Sequence, residues 1–144
     1  MADSGTLSGT VIQQVSLTAS FQSQNTNGTI SVTFDQVYNR PSAFSLAEGT
    51  WSEVVGSYSR SLTIDAAGGI TGSDSDGCVA TGVASILDPN HNFYGVDVDL
   101  TQCGVLNGAY DGFAGLFVDS STNDNLTAVL TNDSYIIFYS LTRQ

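Results

Sequence analysis

The sequence predicts an all-β protein whose main body is an eight-stranded antiparallel up-and-down barrel. From residue 49 onward, short runs that alternate apolar and small or polar residues recur at regular intervals. The gaps between these runs are hairpin-sized and rich in Gly, Asn and Asp, which is typical of turns that join antiparallel strands. The sequence after residue 49 has no helical segment that could connect parallel strands. A two-sheet β-sandwich is the alternative, because counting strands does not separate the two arrangements.

The chain is expected to start with an N-terminal β-hairpin. Residues 1–10 are small and polar, and we expect a frayed end there. Residues 15–21 and 30–34 alternate apolar side chains with Ser, Thr or Asp and predict the two strands of the hairpin.

One short helix is predicted over residues 39–48, with Pro41 in its first turn and Gly49 ending it. We interpret residues 1–48 as an N-terminal hairpin and helix that pack on a barrel formed by residues 49–144. The two parts together are expected to form one structural domain, since 144 residues suffice for a single core.

Eight barrel strands are predicted, and each is bounded by turn residues. They cover residues 50–55, 58–65, 69–73, 78–87, 93–102, 108–118, 126–131 and 135–142.

The segment from Cys78 to Cys103 predicts a hairpin with a disulfide across its open end. Facing cysteines would place Val83 opposite Val98 and Leu87 opposite Tyr94. One face is then expected to carry Val79, Val83, Leu87, Tyr94, Val96, Val98 and Leu100, and the other to carry Ala80, Gly82, Ala84, Asp97, Asp99 and Thr101. Two bridged cysteines indicate an oxidising compartment, so we expect a secreted, periplasmic or cell-surface protein. The alternative is a cytosolic protein in which the two cysteines are buried free thiols.

The charge balance limits the kinds of partner. The chain has 14 acidic and 3 basic residues, for a net charge of −11. Such a chain repels nucleic-acid backbones and anionic lipid surfaces, so we expect neither as a partner. No apolar run is long enough to span a bilayer as a helix. Acidity favours a basic protein partner or a cation such as Ca²⁺.

Two resemblances add to this interpretation. Gly49-Thr50-Trp51 at the first barrel strand, together with Arg143 at the last, resembles the lipocalin and avidin-like barrels. That resemblance implies that Arg143 stacks on Trp51 and closes the barrel. The avidins' polar biotin-binding residues have no recognisable counterparts in this chain.

The second resemblance covers about residues 6–143. The segments Tyr38–Ser42, Ala47–Trp51, Asn92–Val96 and Cys103–Gly108 resemble poorly characterised bacterial secreted proteins and lipoproteins. It implies an envelope location and a C-terminal β-barrel-like domain of a longer protein, and it implies no established activity.

No catalytic residue is assigned. His91 is the sole histidine and falls in a predicted turn, no Gly-x-Ser-x-Gly elbow occurs, and the absence of lysine excludes Schiff-base chemistry. One histidine and two bridged cysteines are too few for zinc. We therefore expect a protein that is not an enzyme, with a hydrolase that uses exposed carboxylates as the weakest alternative.

Calcium is the only cofactor that the sequence suggests. Asp74 and Asp76 place oxygen ligands at alternate positions before Gly77, although an EF-hand glutamate does not follow. Residues 119–125 form a second oxygen-rich turn.

The sequence favours a non-catalytic binding or adhesion module of the bacterial envelope. Asp97 and Asp99 share one face of a strand, and with Tyr94 they are the candidate residues for contact with a basic partner. Aromatic residues at a barrel mouth offer a site for a small apolar or carbohydrate ligand. An immunity or inhibitor protein that neutralises a basic toxin or enzyme is the alternative. The oligomeric state is not predicted.

Overall fold

The computed structural model describes residues 5–117 and 125–144 and confirms the all-β fold class. Eight antiparallel strands form a closed barrel, three more form a separate sheet, and there is one short α-helix among the described residues. The chain divides into two compact units, Met1–Gln36 and Val37–Gln144.

Eleven strands and one α-helix are assigned within the described residues. They are β1 (Gly5–Ile12), β2 (Ser16–Ser23), β3 (Asn27–Thr33), α1 (Phe44–Ala47), β4 (Gly49–Val55), β5 (Tyr58–Ile64), β6 (Gly69–Asp74), β7 (Val79–Ile86), β8 (Tyr94–Thr101), β9 (Gly108–Phe117), β10 (Asn125–Thr131) and β11 (Ile136–Arg143). Two single 3-10 turns lie at Gln36–Asn39 and Gly104–Leu106.

The first unit is a three-stranded sheet in the order β1-β2-β3. The prediction of a frayed end was wrong for residues 5–10, because β1 begins at Gly5 and pairs with β2 along its whole length. Residues 1–4 lie outside the described residues. Period-two alternation gives this sheet an apolar face and a Ser/Thr face. Leu7, Val11 and Val32 on the apolar face are all more than half exposed.

The second unit is the barrel, in which each strand pairs with its neighbours in sequence and β11 pairs with β4 to close the ring. Side chains alternate between the interior and solvent, as the pattern predicts. The core is built from the inward positions of the strands together with Ala47 of α1. Trp51, Leu116 and Leu141 are the largest fully buried side chains.

The predicted register between β7 and β8 was wrong by one residue. Val83 lies opposite Asp97, and Ala84 lies opposite Val96. The cysteines stand just outside the paired residues, and Gln102 adopts a positive φ of 60° beside Cys103. Gln102 therefore adds one residue on the β8 side, so the bridge does not join directly opposed positions.

Compared with the prediction, the one-residue shift exchanges the inward and outward faces of β7. The inward and outward faces of β8 are as predicted. Ala80 and Ala84 point inward, whereas Val83 is 53% exposed. An eight-stranded barrel has an interior just wide enough for side chains to fill, so small residues on one strand must face large ones on its neighbour. The strands also approach closely, since a Cβ added to Gly82 would lie 2.1 Å from the carbonyl oxygen of Asp97.

Candidate binding site

Three aspartates stand together on the outer surface of the barrel. Asp97 and Asp99 alternate along β8 with inward Val96 and Val98, and Asp111 of β9 lies directly opposite Asp97. All three are exposed. They line an open groove of about 360 Å³ over β7, β8 and β9, which we call the acidic groove.

The walls of the acidic groove are small or apolar apart from the carboxylates. Thr81 and Val83 of β7 lie opposite Asp99 and Asp97, and Ala109 of β9 lies opposite Asp99 on the other side. Because these side chains are shorter than the aspartates, they form the floor of the acidic groove, and the carboxylates stand along it. The aliphatic stem of a lysine or arginine could pack on the apolar wall of the acidic groove while its charged group contacts the carboxylates.

The carboxylates of the acidic groove have no hydrogen-bond or ion-pair partner among the described residues, and Asp97 and Asp111 repel each other. Like charges directly opposite on paired strands are destabilising. The paired arginine side chains lie elsewhere, with Arg60 bound to Glu53 and Arg143 stacked on Trp51. The arrangement therefore leaves strong acceptors available to a partner from outside the described chain.

The sequence predicted two of these aspartates and missed the third. Asp111 alternates with inward Tyr110 and Gly112, so its outward direction could be read from the pattern. Its position opposite Asp97 depends on the β8–β9 register, which the intervening 3-10 turn obscures.

Tyr94, the third residue of the predicted partner-binding set, does not belong to this surface. Its side chain points into the barrel and is 2% exposed. The hydroxyl donates to the carbonyl oxygen of Ala43 at 3.1 Å and accepts from the Ala43 N–H at 3.1 Å. Burial raises the pKa of the Tyr94 phenol above its usual value. Tyr94 thus fixes the chain entering α1 and cannot contact a partner at the acidic groove.

The predicted disulfide between Cys78 and Cys103 is confirmed, with a Cα–Cα distance of 4.4 Å. It joins the turn before β7 to the turn after β8.

Asp74, beside this bridge, organises its own turn. One carboxylate oxygen accepts from the N–H groups of Asp76 and Cys78, both at 2.9 Å, and the other accepts from the Tyr58 hydroxyl at 3.0 Å. The side chain of Asp76 lies exposed in the same turn. Over residues 5–117 and 125–144, no group of three or more His, Cys, Asp or Glu side chains is placed to hold a metal ion. Calcium at Asp74 and Asp76 stays a prediction.

Trp51 and Arg143 meet where β4 and β11 close the barrel, as the lipocalin and avidin-like resemblance implied. The Arg143 guanidinium lies 4.2 Å from the centroid of the Trp51 ring. It also donates to the carbonyl oxygens of Leu46 and Glu48 at the end of α1, and the Trp51 indole donates to Ala47 at 2.9 Å. The pair satisfies helix-end carbonyls that would otherwise lack partners.

A second arginine occupies the other end of the barrel, which the sequence did not predict. The Arg60 guanidinium lies 4.2 Å from the Tyr139 ring centroid and 2.5 Å from the carboxylate of Glu53. Its Nε is a buried donor without a hydrogen-bond partner among the described residues. The sequence did contain a clue to this ion pair. Glu53 follows the inward-facing Trp51 by two positions, so alternation places Glu53 on the same face of β4.

The interior of the barrel is filled. The apolar cavity between the two arginine-capped ends has a volume of about 30 Å³, and the small pocket beside Arg60 has a similar volume. Such spaces have room for about one water molecule each. The barrel interior therefore offers no room for a ligand of the size that lipocalins or avidins hold.

The turn between β7 and β8 contains His91, and its ring nitrogen Nδ1 lies 2.8 Å from the carboxylate of Asp88. The ring also stacks on Tyr38 with a centroid distance of 4.6 Å. A backbone hydrogen bond from Asn90, followed by the hydrogen bond from His91, holds the pKa of Asp88 below its usual value. These contacts order the turn, and among the described residues no serine hydroxyl is hydrogen-bonded to His91 as a triad would require.

The second oxygen-rich turn lies outside the described residues, apart from Asn125 at the start of β10. None of the helices in the described part of the chain has the length and apolarity needed to cross a membrane.

Comparison with known proteins returned no match to a family model, a curated protein or a solved structure.

Proposed function

We propose that this chain is a non-catalytic binding module that engages a basic protein partner through the acidic groove. The observation that supports this is the set of three exposed, unpaired carboxylates of Asp97, Asp99 and Asp111 in one open groove. Opposed aspartates cost stability, and departures of this kind from local consistency are expected at functional sites. A partner's lysine or arginine would relieve the repulsion and gain charge-assisted hydrogen bonds.

The surface is a better candidate than the barrel mouth. Both barrel ends are closed by an arginine on an aromatic ring, and the enclosed spaces are the size of a water molecule. The acidic groove is more than ten times larger and is open to solvent.

We propose further that the module works outside the cytoplasm, as a secreted or envelope protein. The disulfide supports this location, since such bridges persist in oxidising compartments. The resemblance to bacterial secreted proteins and lipoproteins agrees with it.

Titration with a labelled lysine-rich peptide tests the proposal. We expect Asp97→Asn/Asp99→Asn/Asp111→Asn to weaken binding about tenfold or more at low salt, because the charge-assisted hydrogen bonds from the peptide's lysines to all three carboxylates are lost. Binding to the wild type should also fall steeply between about 0.05 and 0.5 M salt as the Debye length shortens. Fluorescence anisotropy of the peptide gives both results.

A control variant with the same change in net charge separates the groove from general acidity. Glu48→Gln/Asp65→Asn/Asp76→Asn removes three exposed carboxylates that lie outside β7, β8 and β9, and the asparagine at residue 65 keeps the oxygen that accepts from Ala67 and Gly69. We expect it to weaken binding by about threefold or less, since distant exposed charges are screened. Equal losses in the two triple variants, or no loss in the first, would refute the acidic groove as the binding site.

A further inference from the structure

Next to the acidic groove, the outer surface of the barrel carries an exposed apolar row. Phe113 of β9, Val129 of β10 and Phe138 of β11 lie directly opposite one another across the three strands. They are 52%, 41% and 66% exposed, and Ile136 beside them is 64% exposed. We call Phe113, Val129 and Phe138 the apolar row.

The size of this surface exceeds that of a single exposed side chain. With Ile136, the apolar row exposes roughly 400 Å², which is the size of the largest apolar patch on a typical soluble monomer, and such a patch is often functional. Phe93 stacks on Phe113 with a centroid distance of 4.7 Å and an interplanar angle of 20°, which holds that ring in place.

The apolar row is continuous with the acidic groove. Asp111 and Phe113 are two residues apart on the outward face of β9, a separation of about 6.7 Å along a strand. Gly95, two residues before Asp97, lies opposite Phe113 and is covered by the side chains of Ser85 and Leu87, so the two surfaces meet on β9.

We infer that the acidic groove and the apolar row are two halves of one interface, whose partner is a basic and apolar protein segment. This rests on the proposed function. An extended chain places residues i and i+2 on one side with the same spacing, so a lysine or arginine two positions from a phenylalanine or leucine fits both halves. The partner is thus an extended segment with a basic residue and an apolar residue in that relation.

The negative charge of the acidic groove disfavours two other partners for this interface, a second copy of the chain and an anionic membrane. A second copy seated on the apolar row by a two-fold axis would bring the acidic grooves of both copies within a Debye length. An anionic membrane surface would meet the same carboxylates and be repelled.

Two labelled peptides of equal charge test the inference. In the first, lysines are separated only by serines; in the second, a phenylalanine replaces the serine two residues from each lysine. We expect the wild-type chain to bind the phenylalanine peptide about tenfold more tightly, the gain typical of one well-packed apolar anchor. Phe113→Ser/Phe138→Ser should reduce that preference to about twofold or less while leaving the affinity for the serine peptide unchanged.

Val105→Ser is the matched control, because Val105 is 78% exposed in the 3-10 turn before β9, at the end of that strand distant from Phe113. We expect it to keep the full preference. Since Phe113 packs on Phe93, the single variant Phe138→Ser replaces the double variant if thermal melting shows that the double variant does not fold.

The outcomes separate the two proposals. Equal wild-type affinity for both peptides, or a preference that survives in the apolar-row variant, overturns the inference and leaves the acidic groove standing. Failure of the wild type to bind either peptide overturns the proposed function and the inference with it.

Discussion

Removal of one charge from the opposed pair Asp97 and Asp111 should make the barrel more stable while it weakens binding. Asp111→Asn keeps the size and the low β-propensity of the side chain and removes only its charge. If the pair is retained for binding, stability and affinity must change in opposite directions.

The register gives the size of the effect. Directly opposed residues of an antiparallel pair have their Cβ atoms about 5 Å apart, and two unit charges at that distance in water repel by about 0.8 kcal/mol. Screening at physiological salt reduces this to about 0.4 kcal/mol. We therefore expect Asp111→Asn to raise the free energy of unfolding by about 0.4 to 0.8 kcal/mol, with the larger gain at low salt.

Urea unfolding monitored by tryptophan fluorescence measures this change. Trp51 is the only tryptophan and is fully buried in the barrel, so its emission reports on that unit. Asp76→Asn is the control, because it removes one exposed charge from the turn between β6 and β7, away from β9. A free energy of unfolding that falls, or that rises no more than in the control, would refute the argument that opposed carboxylates destabilise β8 and β9.

Three further predictions concern stability. Cys78→Ser/Cys103→Ser should lower the free energy of unfolding in urea by about 3.5 kcal/mol, since the bridge spans a sequence separation of 25; an unchanged midpoint would contradict this. Gly112→Ala should cost about 2 to 3 kcal/mol, because its Cβ would lie 1.9 Å from a β10 carbonyl oxygen. Gly115→Ala on the same strand should be tolerated, because the atom nearest to its added Cβ is the Asn92 carbonyl oxygen at 3.4 Å. Equal melting temperatures for Gly112→Ala and Gly115→Ala would disprove the close approach at Gly112. Burial raises the folded-state pKa of Tyr94 above the value of 10 in the unfolded chain. The contribution of Tyr94 to the free energy of unfolding is therefore complete below pH 10 and is lost as the pH rises through the folded-state pKa. Tyr94→Phe should therefore flatten the loss of stability above pH 10, and an identical alkaline slope would count against it.

The strands themselves were predictable because alternation is a local property. In β8, large apolar residues alternate with Asp97 and Asp99, so one face could only be buried and the other exposed. The turns carried their own signals, as at Gly56 and Gly77, which adopt the positive φ that favours glycine.

The orientation of β7 was not predictable in the same way. Its two faces, one with Val79 and Val83 and the other with Ala80 and Ala84, are both mildly apolar, so hydrophobicity does not choose between them. The cysteines predicted the wrong inward face for β7. That prediction assumed that Cys78 and Cys103 lie directly opposite each other, whereas Gln102 adds one residue on the β8 side.

The sequence alone determined that this protein is all-β, how its eight barrel strands follow one another, which face of β8 is buried, and that Cys78 and Cys103 are bridged. Only the tertiary structure decided the facing of β7, the placement of Asp111 opposite Asp97, and the closure of the second barrel end by Arg60. The reason is that alternation acts between neighbours in the chain, whereas these features depend on the volume inside a closed ring and on the register between strands. The acidic groove and the apolar row exist only where those registers bring separate strands together.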